Sequence, residues 1–289
     1  RGVVLELTPV LDISRDARWG RIEETFGEDP HLVAEMGLAA VRGLQGPPTA
    51  DGRLPPGKVF ATLKHLAGHG QPEAGTNTGP APLGERELRD QFLPPFERAV
   101  REAGAAAVMA SYNELDGVPS HANPWLLRRV LRAEWGFTGV VLGDYFAIEQ
   151  LASQHHVAAD EAEAAVRALQ AGVDSDLPNG AAYRHLAQAV AEGRVPEALV
   201  DEAVARVLTL KFRAGLFEQA EVDEGRAEAL THDDEAAALA LHAATRCVVL
   251  LKNEGLLPLA LPSAAEPAAR RPVWAVIGPN AAVPRLGAY

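Results

Sequence analysis

The stretch GVVLGDYFAI, residues 139–148, gives the first indication of both the fold and the chemistry. Its apolar run continues for four positions without polar alternation, reaches Gly143, and is followed at once by the carboxylate of Asp144. A run of this kind is typical of a strand that is covered on both faces. The stretch therefore predicts a buried parallel strand whose carboxyl end presents an acidic side chain.

Further strands and helices alternate along the chain around this stretch. The other predicted strands are short runs rich in Val, Leu or Ala, namely VVLELTPVLDI (3–13), VFATLKHL (59–66), AAAVMASY (105–112) and the weaker AGVDSDLP (171–178). The predicted helices end at a glycine and cover 27–46, 88–104 with the helix proper from about Pro94, 123–136 and 160–172. This alternation predicts an α/β fold with a parallel sheet, in the form of a partial TIM-like (β/α) barrel.

The pattern changes after about Tyr183. A helix, a turn and a second helix follow without a strand between them, and the acidic segment after Phe217 has the composition of a linker. Two more strand-like runs follow, CVVLLKNEGLLPL (247–259) and VWAVIGPN (273–280). We therefore expect a barrel domain over 1–217, a linker over 218–232 and the start of an αβ sandwich domain over 233–289.

Both ends of the sequence predict an internal piece of a longer protein. The chain opens on Arg1, which runs directly into a strand-like segment, and it stops soon after another such segment. A barrel that begins part-way exposes an unpaired sheet edge and part of its core. We therefore expect this piece, expressed by itself, to fold poorly or to aggregate.

Charge and composition argue against some classes of partner. The net charge of −12 and the isoelectric point of about 5.2 argue against a nucleic-acid partner, which requires a basic surface. No apolar run approaches the roughly 18 to 20 residues of a membrane-spanning helix, so we expect no membrane insertion. The single cysteine, Cys247, excludes a disulfide within the chain and suits either the cytoplasm or an exported protein.

Polar side chains gather where the predicted strands end. In a parallel (β/α) barrel the active-site residues lie at the carboxyl ends of the strands. The residues at these ends are Asp12, Arg15, Asp16, Arg18, Arg21, Glu23, Glu24, Lys64, His65, Ser111, Tyr112, Asn113, Asp144, Asp174 and Asp176. A dense lining of donors and acceptors suits a sugar, because a sugar presents hydroxyl groups on every side.

Other kinds of site fit the sequence less well. The glycine-rich stretch GHGQPEAG (68–75) has neither the Walker spacing nor the dinucleotide-binding spacing, and no GxSxG nucleophile elbow occurs. His65 and His69 are four residues apart, but the flanking glycines favour a loop and no HExxH motif is present, so we expect no metal site. The adjacent His155 and His156 are expected to be ordinary surface residues.

Asp144 has two possible roles. A carboxylate that neighbouring groups keep ionised can attack an anomeric carbon and form a covalent glycosyl-enzyme. A buried aspartate without a nearby cation would instead be protonated, and Lys64 and Arg21 at other strand ends are candidates for the positive charge. The alternative is a structural one, in which Asp144 caps the helix that follows.

Five strings, in this order, resemble segments of glycoside hydrolase family 3. They are VLDISRDARWGRIEETFGEDP, KVFATLKHLAGHG, VMASYNELDGVPSHANPWLL, GVVLGDYFAI and AGVDSDLP, and CVVLLKNEGLLPL resembles the entry to the family's second domain. The resemblance implies a retaining, exo-acting β-glycosidase that needs no cofactor or metal. It favours a β-glucosidase that releases terminal non-reducing β-D-glucose from oligosaccharides or glucosides, with a β-xylosidase as the close alternative.

The same resemblance assigns roles to individual residues. Asp144 is implied to be the catalytic nucleophile. The residues implied to hold the hydroxyls of the innermost sugar are Arg21, Lys64, His65 and Tyr112. Met109 and Tyr145 are implied to line the same subsite.

The sequence departs from the family pattern at several places. Gly143 stands where the family usually has serine, and Tyr145 stands where β-glucosidases often have tryptophan, which weakens the preference for glucose over xylose. By the resemblance, one sugar-binding aspartate lies before Arg1 and the general acid/base glutamate lies beyond Tyr289. We therefore expect this chain by itself to be inactive.

Two further alternatives within the resemblance remain. A β-N-acetylglucosaminidase would need an Asp-His dyad after LKHLAGHG, and the stretch GQPEAGTNTGPAP lacks it. A non-catalytic sugar-binding relative would be favoured by loss of Asp144, Lys64 or His65, and all three are present.

Overall fold

The structure is a computed structural model that describes residues 2–47, 49–219, 221–231, 233–259 and 273–283. The chain separates into two compact units, Arg1–Glu224 and Gly225–Tyr289, and each is described by itself. None of the helices in the described part of the chain is both long and apolar enough to cross a bilayer.

A parallel sheet of four strands is the framework of the first unit. Its strands are β1 (Leu5–Glu6), β2 (Phe60–Leu66), β3 (Ala107–Ala110) and β6 (Val140–Leu142), in that spatial order. A short antiparallel hairpin follows β3 and consists of β4 (Glu114–Leu115) and β5 (Val118–Pro119). The weak fifth strand predicted over 171–178 is reduced to a single parallel bridge between Ser175 and Leu142.

Helices connect the strands of the sheet. They are α1 (Pro30–Gln45), α2 (Glu85–Glu87), α3 (Pro94–Ala103), a wide-turn helix over Trp125–Glu134, α4 (Ala147–Ser153), α5 (Glu161–Ala171), α6 (Leu186–Ala191) and α7 (Glu197–Arg213). The predicted alternation of strand and helix is confirmed, with a strand–helix order that is typical of a (β/α) barrel.

Local capping explains where these helices begin and end. The carboxylate of Asp29 accepts the backbone N–H of Leu32 at 2.7 Å at the start of α1, and that of Asp160 accepts the N–H of Glu163 at 2.8 Å at the start of α5. Gly172 ends α5 with a φ of 113°, a conformation that side chains other than glycine rarely adopt. The predicted ending at a glycine is confirmed for α5.

Alternate residues of the strands pack on opposite faces of the sheet. Val108 and Val141 belong to the large core between the sheet and the helices. Met109 and Leu142 belong to a separate small cluster on the other face, where Leu210 of α7 packs against them. Both faces of the strands are therefore buried, as the uninterrupted apolar runs predict.

The second unit contains one clear helix, α9 (Asp234–Cys247), in its described residues, after the shorter α8 (Glu224–Ala229) at the boundary. The carboxylate of Asp233 caps α9 through the N–H of Ala236 at 2.7 Å. The strands predicted within 247–259 and 273–280 are not formed in the residues described there, and this prediction is wrong for this structure. A strand needs a neighbour that takes up its hydrogen bonds, and side chains such as Leu251 and Ile277 are instead exposed.

Candidate active site

The carboxyl ends of β2, β3 and β6 bring most of the predicted site residues together. Lys64 and His65 lie near the carboxyl end of β2, Tyr112 follows β3, and Asp144 and Tyr145 follow β6. The register between β2 and β3 shifts between Leu63 and Leu66, which places an irregularity at Lys64 and His65. Irregularities of this kind re-aim side chains next to active sites.

Asp144 is held by one carboxylate oxygen and offers the other. The residue is buried, and its Oδ1 accepts the backbone N–H of Tyr145 at 2.7 Å. No group among the described residues hydrogen-bonds to its Oδ2, although that atom is buried. The position that caps α4 is occupied by Phe146 and not by Asp144, so the helix-capping alternative for Asp144 is wrong.

A chain of polar contacts leads from Asp12 through His65 to Arg21. Nδ1 of His65 lies 2.7 Å from Oδ2 of Asp12, and Nη2 of Arg21 lies 3.0 Å from Nε2 of His65. Since a guanidinium only donates, Nε2 accepts and the ring proton resides on Nδ1. Burial lowers the pKa of His65 to about 3 despite the opposing charge of Asp144, so the ring is neutral.

The neutral ring of His65 also faces the unbonded oxygen of Asp144. Its Nε2 lies 3.6 Å from Oδ2 of Asp144, which is outside hydrogen-bond distance. Burial raises the pKa of Asp12 to about 6, so this carboxylate is mainly ionised at pH 7. Asp12 was only one of many strand-end candidates in the sequence, and the structure shows that it orients His65.

Arg21 forms an ion pair with Glu24. Nε and Nη2 of Arg21 donate to the two carboxylate oxygens of Glu24 at 2.7 and 2.9 Å. A bidentate ion pair of this kind fixes the plane of the guanidinium. The half-buried Lys64 has its pKa lowered by burial and by Arg21, while the charges of Glu24 and Asp144 act in the opposite direction.

His69 is the centre of an aromatic cluster under these groups. Its ring lies 4.7 Å from the ring of His65, 5.1 Å from that of Trp19 and 5.8 Å from that of Tyr112. Nε2 of His69 lies 2.9 Å from Oδ1 of Asn77. Burial lowers the pKa of His69 to about 3, so this cluster is uncharged.

Asp12, His65 and His69 have the composition of a metal site, but their surroundings do not favour one. Each offers one ligand atom, and these atoms lie within 4.8 Å of one another. The guanidinium of Arg21 contacts the same histidine ring at 3.0 Å and would repel a cation. The group is better explained as a buried hydrogen-bond network that positions His65.

The aromatic and apolar residues assigned to the sugar subsite occupy different environments. The hydroxyl of Tyr112 donates to the backbone carbonyl of Tyr145 at 2.9 Å, which ties the end of β3 to the segment after β6. The side chain of Tyr145 is exposed, and so is that of Phe146. Met109 is completely buried in the cluster with Leu142, so a role for it in lining the subsite stays a prediction.

Other strand-end candidates serve the scaffold. Asp174 pairs with Arg132 at 2.7 Å and with Arg206 of α7 at 2.8 Å, and it also accepts the N–H of Val141. Asp176 accepts the N–H of Ala182 at 3.0 Å. These contacts connect helices to the sheet, so they indicate a structural role and not a catalytic one for both aspartates.

Two histidine predictions differ from the structure in part. The side chain of His155 is buried, and its Nδ1 lies 2.7 Å from Oε1 of Glu114 in the β4–β5 hairpin, so the expectation of a surface residue is wrong for His155. His156 is exposed, as expected. The sequence around His155 and His156 gave no sign that His155 pairs with the carboxylate of Glu114.

Sequence reasoning missed the partners of the site residues. Glu24 was noted only as a polar residue, although its spacing of three from Arg21 is a signal for an ion pair on one turn. His121 was not considered, and its Nε2 accepts the backbone N–H of Asp144 at 3.0 Å. No local pattern predicts this second contact, because the two residues are 23 positions apart.

Comparison with known proteins places this arrangement in a family. The profile of the Glycosyl hydrolase family 3 N terminal domain matches residues 1–210. The chain belongs to glycosyl hydrolase family 3. The resemblance found in the motifs is therefore confirmed, and so is the α/β barrel class of the first unit.

Family 3 relatives of two activities match this chain. A beta-xylosidase of Formosa agariphila is 39% identical, with 100% of this chain and 40% of the relative covered. A lysosomal beta glucosidase of Dictyostelium discoideum is 40% identical, with 89% and 32% covered. The chain thus spans 32% to 40% of the length of these two relatives.

The solved structures that match are also family 3 enzymes. A β-glucosidase from Erythrobacter marinus is 44% identical, with a TM-score of 0.86 over 89% of this chain and 34% of that protein. A β-glucosidase from Listeria innocua, solved with laminaribiose, is 37% identical, with a TM-score of 0.83 over 89% of this chain and 36% of that protein. The latter structure shows that a relative of this fold binds a sugar.

Proposed function

We propose that the whole protein is a retaining, exo-acting β-glycosidase that releases terminal β-D-glucose, with Asp144 as its nucleophile. The observation that supports this most directly is the environment of Asp144. One carboxylate oxygen is anchored by the N–H of Tyr145, and the other is buried and receives no hydrogen bond from the described residues. Such an oxygen is oriented and keeps a lone pair for attack.

The reaction proceeds in two displacements. In the first, Oδ2 of Asp144 forms a bond to the anomeric carbon while the bond from that carbon to the leaving oxygen breaks, and an acid protonates the leaving group. In the second, water attacks the anomeric carbon, gives its proton to the same acid in its basic form, and releases Asp144. We assign the acid to no glutamate of this chain, in keeping with the family resemblance.

The residues around Asp144 fit the role of holding sugar hydroxyls. Arg21 and Lys64 are cationic donors next to the carboxyl ends of the strands, and His65 is fixed between Asp12 and Arg21. Tyr112 and Tyr145 supply an aromatic edge beside them. Fixed donors stabilise the transition state because they need no reorganisation as charge develops. Met109 is the remaining proposed subsite residue.

A β-xylosidase is the second candidate. The β-xylosidase of Formosa agariphila covers the whole of this chain at 39% identity. Glucose differs from xylose by an exocyclic hydroxymethyl group, so the difference depends on room around that group. We favour the glucosidase because both solved structures described above are β-glucosidases.

The second unit belongs to this proposal only by family resemblance. We propose that residues 218–232 are the linker and that 233–289 begin the αβ sandwich domain. The acidic composition of the linker and the helix α9 support this division. Limited proteolysis of the whole protein is expected to cut first within 218–232, and a first cut within the barrel would contradict it.

Kinetics and product stereochemistry test the proposed activity. The whole protein is incubated with 4-nitrophenyl β-D-glucoside and with the matching β-D-xyloside, and NMR follows the first sugar anomer that is released. We expect kcat/KM to be higher for the glucoside and the β-anomer to form first. A higher value for the xyloside would favour the xylosidase, and an α-anomer formed first would exclude a retaining mechanism.

A further inference from the structure

His121 contacts the backbone of the proposed nucleophile from a different part of the chain. It lies after the β4–β5 hairpin, in the short helical turn Ser120–Ala122. The residue is 2% exposed. Nε2 of His121 lies 3.0 Å from the backbone nitrogen of Asp144.

The direction of this hydrogen bond follows from its chemistry. A backbone N–H only donates, so Nε2 of His121 is unprotonated and the ring carries its proton on Nδ1. A protonated Nε2 would set two donors against each other at 3.0 Å. Burial also lowers the pKa of His121 to about 3, which agrees with a neutral ring. The backbone N–H of the proposed nucleophile therefore donates to an uncharged imidazole.

The contact comes where regular sheet pairing stops. β6 ends at Leu142, and the N–H of Gly143 still donates to the carbonyl of Ser175 at 2.8 Å. The next N–H, that of Asp144, donates to His121 instead of to a strand. A buried N–H without a partner would be costly, and the bond also sets the orientation of the Gly143–Asp144 peptide.

Gly143 makes this external anchor more important. A glycine before the nucleophile has no side chain that could hold the peptide in place. The oxygen that attacks must stay within about 0.5 Å of its productive position, since an error of about 1 Å lowers rates by as much as 100-fold. The ring of His121 supplies a rigid contact to this peptide.

We propose that His121 is a positioning residue for Asp144, acting through the backbone N–H of the nucleophile. This inference rests on the proposed function, because it requires Asp144 to be the attacking group. The simpler alternative is a buried histidine that only satisfies a backbone donor and stabilises the fold. The two differ in whether the rate of the covalent step changes separately from sugar binding and folding.

The test compares variants of the whole protein. His121→Leu removes the acceptor, and His121→Gln restores an acceptor oxygen at a similar distance along the side chain. Ser120→Ala is the matched control, because Ser120 lies in the same turn as His121. The substitution removes the hydrogen bonds between Ser120 and both Asn113 and Ser111, and it leaves the contact between His121 and Asp144 in place. The readouts are the rate constant for labelling by an activated 2-deoxy-2-fluoro glucoside, the dissociation constant for glucose, and the melting temperature.

The expected pattern separates positioning from stability. His121→Leu should lower the labelling rate constant about 10- to 100-fold and change the dissociation constant for glucose by less than about 3-fold. His121→Gln should recover most of the loss, and Ser120→Ala should label at nearly the wild-type rate. Equal labelling in wild type and His121→Leu, or an equal loss in Ser120→Ala, would overturn the positioning role.

A measurement on the unaltered protein covers the case in which His121→Leu does not fold. In ¹⁵N-histidine NMR, Nε2 of His121 should give the signal of an unprotonated, hydrogen-bonded nitrogen at pH 7. A protonated Nε2 would overturn the inference. If the wild-type protein is not labelled on Asp144 at all, the proposed function fails. If the wild type is labelled and His121→Leu is labelled equally fast, only the positioning role fails.

Discussion

Nδ1 of His65 donates a hydrogen bond to Oδ2 of Asp12 across 2.7 Å, and this bond determines what the opposite edge of the ring presents. Both side chains are almost completely buried. With the proton held on Nδ1, Nε2 accepts from Arg21 at 3.0 Å and faces Oδ2 of Asp144 at 3.6 Å. Asp12 therefore fixes the tautomer and the orientation of the His65 ring.

Asp12→Asn tests this arrangement. The amide can donate to Nδ1, which favours the other tautomer and sets a proton on Nε2 against Arg21. We expect kcat/KM for the β-glucoside to fall about 10- to 100-fold, as for other partners that orient a functional histidine. Asp16→Asn is the control, because Asp16 pairs with the exposed Arg18 in the same segment. Equal kinetics in the two variants would contradict the role of Asp12.

The two glycines that flank β6, Gly139 and Gly143, should differ in their response to alanine. A Cβ at Gly143 would meet Ser175 O at 3.4 Å, which is ordinary contact, whereas a Cβ at Gly139 would meet Ala106 O at 2.2 Å. Gly143→Ala should leave the free energy of unfolding within about 1 kcal/mol of wild type, and Gly139→Ala should lower it by more than about 2 kcal/mol. Urea titration measures both. A larger loss in Gly143→Ala than in Gly139→Ala would contradict the packing described.

Acid should destabilise the fold through its buried histidines. Burial lowers the pKa values of His65, His69 and His121 to about 3 each. Below pH 6.5 these histidines are therefore protonated in the unfolded chain but remain neutral in the folded chain. Asp12 opposes this by one proton between about pH 4 and 6, because its pKa is raised to about 6. The free energy of unfolding should therefore fall as the pH drops from 6.5 to 5, with an uptake of about two protons.

Denaturant titrations at pH 7, 6 and 5 measure this slope. His69→Gln should reduce the uptake by about one proton. His156→Gln, at an exposed position, is the control and should leave the slope unchanged. A free energy of unfolding that rises between pH 6.5 and 5 would show that these histidines are not buried in their neutral form.

The sequence predicts the parts of the site that depend on local pattern. Lys64, His65 and Asp144 each end an apolar run, and parallel strands bring such ends to one edge of a sheet. Helix limits were predictable for the same reason, since capping by residues such as Asp29 and termination at Gly172 act within one turn. These features need no knowledge of distant parts of the chain.

The remaining features depend on partners that are distant in sequence. His121 meets Asp144 across 23 positions, and Arg206 reaches Asp174 across 32, so no local window contains either pair. The strands predicted after Cys247 fail for a related reason, because an apolar run forms a strand only beside another strand. Polar residues at strand ends likewise look alike in sequence until their partners show which of them serve the scaffold.

The most direct test of the central claim is to identify the carboxylate that becomes glycosylated. The whole protein is incubated with an activated 2-deoxy-2-fluoro glucoside, and the adduct is mapped by mass spectrometry of its peptides. We expect one fluorosugar, attached to Asp144, on the peptide that carries GVVLGDYFAI. An adduct on any other carboxylate, or no adduct in a protein that hydrolyses β-glucosides, would contradict it.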